Sequence, residues 1–213
     1  MNARHLPLLL LALAGVPVFA ADSAPLLLPA AQDVAGATQA QWTRRWSQWA
    51  LSFDREVSPL ADATGAHCSA GQQGPVWFLA GSFGGQRVAR KCTVPAGKYL
   101  FFPLINFVAV PPDDRPGSCD IETRDARRLT DGVDHLVLRI DGQPQAGLEA
   151  HRVDSQGCFD AGARMSPPVD GFPSAGNGYY AMLKPLSPGT HEIEFGATLP
   201  AGSQAIRYTL LVR

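Results

Sequence analysis

Short apolar runs separated by glycine and proline dominate the chain from residue 74 to its C-terminus. Runs rich in β-branched and aromatic residues that end at Gly or Pro are typical of strands joined by turns. The pattern predicts strands over residues 76–80, 87–93, 99–108, 135–140, 146–153, 178–183, 190–196 and 205–212. Alternation is strictest from residue 190, where Ile193 and Phe195 share one face and Glu192 and Glu194 share the other.

One earlier segment has helical periodicity instead. Thr38 and Gln41 have the spacing of a capping box. The apolar residues that follow fall on one helical face: Trp42, Trp46, Trp49, Ala50 and Phe53. Stacked indoles bind sugars in some proteins, but an amphipathic helix must bury its apolar face, and indoles supply much of the burial free energy. We therefore predict a helix that covers one face of a sheet.

These elements together predict a mainly β fold. We expect an antiparallel β-sandwich, jelly-roll or immunoglobulin-like, with one packed N-terminal amphipathic helix and a second short helix within residues 122–134. Most strands are expected in hairpins, the first formed by residues 76–80 and 87–93. Another is expected where residues 146–153 pair back across the Asp141-Gly142 turn. The long Gly- and Pro-rich segment 154–177 is typical of a functional or a disordered loop.

The N-terminus has the pattern of a Sec-type signal peptide. Arg4 precedes an almost wholly apolar run, and Val18-Phe19-Ala20 suits cleavage after residue 20. The run is shorter than the ~20 residues that a spanning helix needs, so we expect no stable membrane span after cleavage. The predicted organisation is a signal peptide over 1–20, a linker or arm over 21–37, and a single β-sandwich domain over 38–213. The mature chain is expected in the periplasm or outside the cell.

Charge and cysteine content limit the kinds of binding partner and the compartment that we expect for the chain. Lys and Arg number 18 against 19 Asp and Glu, and the absence of a basic block argues against nucleic acid. All four cysteines follow the leader, which predicts two disulfides in an oxidising compartment. Of the three pairings we favour Cys68–Cys92, which would close the first hairpin, and Cys119–Cys158, which would tie together two loops. No cysteine has zinc spacing, so we expect neither a metal nor a cofactor.

Three phrases of the chain carry a resemblance to other proteins. Residues 74–81 (GPVWFLAG), 92–98 (CTVPAGK) and 185–191 (PLSPGTH) resemble phrases of a group of exported bacterial proteins of uncharacterised function. The resemblance covers most of the mature chain. It implies export and one β-rich domain, and it implies no reaction and no catalytic residue.

Candidate site residues follow from residue type and loop context. There is no Gly-x-Ser-x-Gly elbow, and bridged cysteines cannot act as nucleophiles. His67 is the best single candidate for a site residue, because it lies in a Gly-rich loop with Asp62 and Gln72 nearby in sequence. The predicted binding-site residues are His67, Asp62, Gln72, Arg90, Asp113 and Asp160. Arg90, if it faces inward, is expected to pair with a carboxylate such as Asp62 or Asp120.

The leading hypothesis is an exported, disulfide-stapled β-sandwich that binds an envelope glycan or an envelope protein. One alternative is a cell-envelope hydrolase with a histidine and carboxylates near the His67 loop. Another is a structural or assembly subunit with an exposed apolar patch or a free strand edge. A cleft in which the candidate side chains converge would favour the hydrolase. Side chains that pair singly would favour a binding surface.

Overall fold

The fold is known from a computed structural model that describes residues 25–85, 87–112, 116–165, 167–168, 170–200 and 202–213. The predicted signal peptide and Asp113 lie outside the described residues. The helices are α1 (Gln39–Ala50) and α2 (Cys119–Thr130), with a 3-10 helix over Leu148–His151. The strands are β1 (Val76–Phe78), β2 (Arg87–Val94), β3 (Tyr99–Ala109), β4 (Asp134–Ile140), β5 (Gln143–Pro144), β6 (Arg152–Asp154), β7 (Ala175–Leu183), β8 (Gly189–Leu199) and β9 (Gly202–Val212). None of the described helices has the length and apolar character needed to cross a membrane.

The strands form two sheets that pack face to face. One sheet has the order β1-β3-β7-β6 and the other β2-β9-β8-β4-β5. Between them lies an apolar cluster to which both sheets contribute, with Leu100 and Phe102 from β3 meeting Phe195 from β8. The rings of Phe102 and Phe195 lie 4.5 Å apart between centroids. The predicted mainly β sandwich is therefore the observed fold class.

Helix α1 covers the other face of the first sheet, as its apolar stripe predicts. The Thr38 side chain accepts from the Gln41 N–H, and the Gln41 side chain accepts from the Thr38 N–H, which completes the capping box. The indoles of Trp42, Trp46 and Trp49 are all buried against β1, β3 and β7. Their interpretation as core residues rather than as a sugar platform is confirmed.

The first predicted hairpin is wrong. β1 pairs in parallel with β3, and β2 pairs in parallel with β9, so the chain changes sheet between residues 79 and 86. The favoured disulfide Cys68–Cys92 is present, but it ties the loop before β1 to the second sheet instead of closing a hairpin. Cys119–Cys158 is present as well and joins the start of α2 to the long loop.

The second predicted hairpin is only two residues long. β4 pairs with Gln143 and Pro144, and Gly147 then takes a left-handed conformation (φ 72°) from which the 3-10 helix begins. The chain leaves the second sheet there, and β6 pairs with β7 in the first sheet. Alternation of apolar residues identifies a strand but not the sheet that it joins, which is why residues 146–153 were assigned to the wrong partner.

The segment before α1 is an arm on the edge of the first sheet. Leu27 bridges to Leu183, and the Leu28 N–H donates to the Met182 carbonyl at 2.8 Å. The Lys184 N–H donates back to the Leu26 carbonyl at 2.9 Å. The arm thus pairs with β7 on the same side as β6, beyond the point where β6 ends.

Candidate functional site

Asp62 braces the loop that carries His67. Its carboxylate accepts from the Thr64 N–H and hydroxyl, both at 2.8 Å, and from the His67 N–H at 2.9 Å. Burial raises the pKa of Asp62, but these hydrogen bonds outweigh burial and lower the pKa to about 2. A carboxylate held ionised by the N–H groups of its own loop is poorly suited to act as a general acid or base.

The Gln72 side chain satisfies main-chain groups at the free edge of β1. Its side-chain amide donates to the Phe78 carbonyl at 2.8 Å, and its carbonyl oxygen accepts from the Phe78 N–H at 2.9 Å. The same amide donates to the Cys68 carbonyl at 3.1 Å. Gln72 therefore takes the place of a neighbouring strand, which is a structural role.

Arg90 is buried, but the predicted carboxylate partner is wrong. Its guanidinium donates to the main-chain carbonyl oxygens of Asp62 (2.6 Å), Ala80 (2.7 Å) and Gly81 (2.8 Å), and to the Tyr208 hydroxyl (2.9 Å). Ala80 and Gly81 lie where the chain passes from the first sheet to the second, Asp62 lies in the loop before β1, and none of the three belongs to a strand. A guanidinium can serve several such acceptors at once, whereas a carboxylate partner would leave them unsatisfied.

Asp160 braces a different loop. Its carboxylate accepts from the Gly162 N–H at 2.9 Å and from the Gly171 N–H at 3.0 Å, and its main-chain carbonyl accepts from Gln48 on α1. The structure therefore gathers Asp62, His67 and Arg90 around the loop before β1, and it places Asp160 with the long loop instead. The described candidate carboxylates are committed to main-chain N–H groups, which favours a binding surface over a hydrolytic cleft.

An Asp–His–Ser group that the sequence did not reveal lies at the other end of the second sheet. His191 Nδ1 lies 2.8 Å from Asp141, while Nε2 lies 2.9 Å from the Ser187 carbonyl oxygen and 3.3 Å from the Ser187 hydroxyl. Burial lowers the pKa of His191, but the hydrogen bonds to Asp141 and to the Ser187 carbonyl raise it by more than burial lowers it. The pKa of His191 therefore lies above its usual value. Because Nε2 donates to a carbonyl, it is not free to take a proton from the hydroxyl. This group therefore clips two turns together and does not activate Ser187.

The clip gives a pH-dependent stability that can be measured. A histidine with a raised pKa in the folded state stabilises fully below its unfolded pKa of roughly 6.5, and this is lost as the pH rises through the folded pKa. We expect His191→Gln to lower the free energy of unfolding by about 0.5–1 kcal/mol at pH 5.5 and by much less at pH 9. Urea denaturation of both proteins at the two pH values measures this difference. His135→Gln, an exposed histidine beside the exposed Asp134, is the control, and an equal loss at both pH values would contradict the clip.

A cleft of about 200 Å³ opens between α1, β3 and the loop that leaves β1. Asn106 and Ser47 lie in it, Leu51 and Leu60 line its sides, and Phe83 lies at its edge. The Tyr180 hydroxyl is buried near Asn106 and Ser47 and has no hydrogen-bond partner among the described residues, and burial raises the pKa of Tyr180 well above its usual value. We call the cleft lined by these residues the Phe83 cleft. It combines apolar side chains with hydroxyl and amide groups, as small-molecule sites do.

The glycine-rich turn places Phe83 in solvent. A Cβ at Gly81 would lie 2.5 Å from the Gln204 amide oxygen, so a larger residue there would displace the Gln204 side chain from its hydrogen bonds. Gly84 and Gly85 take left-handed conformations, and the Gly85 N–H donates to the Ser203 carbonyl at 3.1 Å. Phe83 is held between these anchors with 62% of its surface exposed. The guanidinium of Arg55 lies over its ring, 5.6 Å from the centroid.

Two buried side chains fix the walls of the cleft. Arg90 binds the carbonyl of Gly81 at 2.8 Å and reaches the Leu60 carbonyl at 3.4 Å, and both residues line the cleft. The Gln204 amide oxygen accepts from the Ser82 N–H at 3.0 Å, and its nitrogen donates to the Leu104 carbonyl at 2.9 Å. The cleft is therefore pre-formed, and Arg90 acts as a positioning residue behind it.

Comparison of the chain with protein-family models, curated proteins and solved structures finds no match. The chemistry of the Phe83 cleft is therefore the basis for a functional assignment. Phe83 and Phe172 are the exposed phenylalanine side chains of the described ranges, and Phe83 lines the cleft. Its surroundings combine apolar side chains with hydroxyl and amide groups.

Proposed function

We propose that the protein is an exported binding protein for an envelope glycan, with one sugar residue seated in the Phe83 cleft. The observation that supports it is an exposed aromatic ring at the edge of a pre-formed cleft that contains hydroxyl and amide groups. A sugar ring has an apolar C–H face, which suits an aromatic ring, and a rim of hydroxyl groups, which suits amides and hydroxyls.

The polar groups of the cleft match hydroxyl ligands. The Asn106 amide has both donor and acceptor capacity, and a sugar hydroxyl needs both. The Ser82 hydroxyl oxygen accepts from the Gly84 N–H at 3.2 Å and keeps its own proton for donation. Neither of these two groups is ionic, which suits the hydroxyl groups of a neutral ring, and the charged Arg55 lies over the Phe83 ring instead.

The size of the cleft limits how much of a glycan it holds. Its volume of about 200 Å³ is below the roughly 300–1,000 Å³ of sites for drug-sized ligands. One sugar residue is therefore proposed to enter, while the rest of the glycan lies outside over Phe83. The two disulfides support an oxidising compartment.

Binding of soluble peptidoglycan fragments and of envelope oligosaccharides, measured by titration calorimetry, tests this function. Phe83→Ala is expected to weaken binding about tenfold, which corresponds to an aromatic contact of about 1.4 kcal/mol. Both phenylalanine side chains are exposed, so Phe83→Ala and the matched control Phe172→Ala are expected to fold normally, and the control to bind as the unaltered protein does. The proposal fails if none of the glycans binds, or if Phe83→Ala binds them unchanged.

A further inference from the structure

The first sheet ends at β6 with an uncovered edge. β6 pairs with β7, and no strand of the described residues lies beyond it. The Ser155 N–H donates to the Gly176 carbonyl at 2.8 Å, so Val153, two residues earlier, also directs its main chain towards β7. The main-chain N–H and C=O groups of Arg152 and Asp154 therefore point away from the sheet.

A groove of about 580 Å³ runs along this edge, and all three β6 residues line it. One wall is formed by the arm and the first turn of α1, with the small residues Ala30, Ala31 and Ala40 and the exposed Asp33. The other wall is the exposed side of α2 with Arg127. An open strand edge between two walls has the form of a site that accepts an added strand.

The side chains of β6 alternate between the two walls of the groove, and this alternation determines which side chains of a bound strand would face each wall. Val153 packs towards α1, whereas Arg152 and Asp154 point towards α2. Arg127 binds Asp154 through Nε and Nη2, and Arg152 binds its own partners through the same two nitrogens. The Nη1 groups lie outside these bonds. A strand in the groove would thus place small side chains towards α1 and acidic side chains towards these arginines.

A buried polar atom also lies at the groove. Gln39 is 1% exposed, and its amide nitrogen donates to the Pro29 carbonyl at 2.6 Å. Its amide oxygen has no hydrogen-bond partner within the described ranges. Such an acceptor is costly to leave unsatisfied, and an N–H of a bound chain would satisfy it.

We propose that this groove binds an extended polypeptide segment of another protein, which adds to β6 as a strand. The arm provides a precedent within the molecule, because residues 26–28 already add to the edge of β7 in this manner. A second copy of the chain is a less suitable occupant, because its own β6 offers only three residues, whereas an extended peptide can follow the whole groove. The segment recognised alternates small apolar with acidic residues.

The probe is the capped octapeptide acetyl-(Val-Glu)4-amide, and its binding is followed by NMR titration and amide hydrogen exchange. We expect saturable binding that slows exchange of the Arg152 and Asp154 amides. Ala31→Trp, which fills the groove from an exposed position, should weaken binding at least tenfold. Ala89→Trp, exposed on β2 in the other sheet, should not. The (Val-Lys)4 peptide should bind at least tenfold more weakly.

Three results would overturn this inference. The first is no binding of the (Val-Glu)4 peptide. The second is binding that Ala31→Trp leaves unchanged, which would place the peptide elsewhere. The third is a concentration-dependent dimer in sedimentation that Ala31→Trp abolishes, which would assign the edge to a second copy. None of them bears on the Phe83 cleft, which lies at a different set of residues.

Discussion

Replacing Arg90 with leucine is expected to lower the free energy of unfolding by about 4 kcal/mol. The guanidinium is 2% exposed and serves the carbonyls of Asp62 and Gly81, which have no other hydrogen bond in the described structure. A buried acceptor left without a partner costs about 1–3 kcal/mol, and the Tyr208 hydroxyl would lose its contact as well. Ala80 is less affected, because its carbonyl also accepts from the Tyr208 hydroxyl at 3.0 Å. Urea denaturation of the two proteins measures the loss.

Two further variants make this expectation specific. Arg87→Leu changes an exposed arginine of the same strand and should stay within about 0.5 kcal/mol of the unaltered protein. Arg90→Lys keeps the charge but cannot span acceptors on several sides, so it should recover little of the loss. A loss below about 1 kcal/mol for Arg90→Leu would mean that other groups hold the loop. If the folded fraction of Arg90→Leu also fails to bind glycan, the walls of the Phe83 cleft depend on this side chain.

The sequence predicted the positions of the helices and strands better than it predicted which strands pair with one another. The Trp stripe after Thr38 predicts a helix that buries its apolar face on a sheet, and α1 has that position. Strand periodicity likewise located most strands within a few residues. It did not predict that β1 pairs with β3 and β2 with β9 in parallel, since a period of two fixes the face of a residue and not its neighbouring strand.

The candidate site was harder to predict for a related reason. The sequence predicts that Arg87 or Arg90 faces inward, but the acceptors of Arg90 are main-chain oxygens, which every residue carries and no sequence marks. Phe83 was assigned only to a Gly-rich turn, because its exposure depends on the close approach of Gly81 to Gln204 from a distant strand. The edge groove is lined by the arm, α1, α2 and β6, which are brought together only by the fold.

Trp46→Ala is expected to lower the free energy of unfolding by about 4 kcal/mol, within the roughly 3–5 kcal/mol range for buried aromatic residues. The indole is 3% exposed and packs against Tyr180 and Trp49, and its N–H donates to the Leu79 carbonyl at 3.0 Å. Trp46→Phe keeps a ring and loses the N–H donor, so it should lose about 1–2 kcal/mol. Chemical denaturation of the three proteins gives both values.

Trp46 also lines the Phe83 cleft, so the same variants separate a core role from a ligand-binding role. If the indole is a core residue, Trp46→Phe keeps most of its glycan affinity while its stability falls, and Phe83→Ala shows the opposite pattern. If Trp46→Ala keeps its stability within about 1 kcal/mol but loses glycan binding, the indole contacts the ligand directly. The assignment of the Trp stripe to the core would then be wrong at this position, and the ligand would have to reach beneath Phe83.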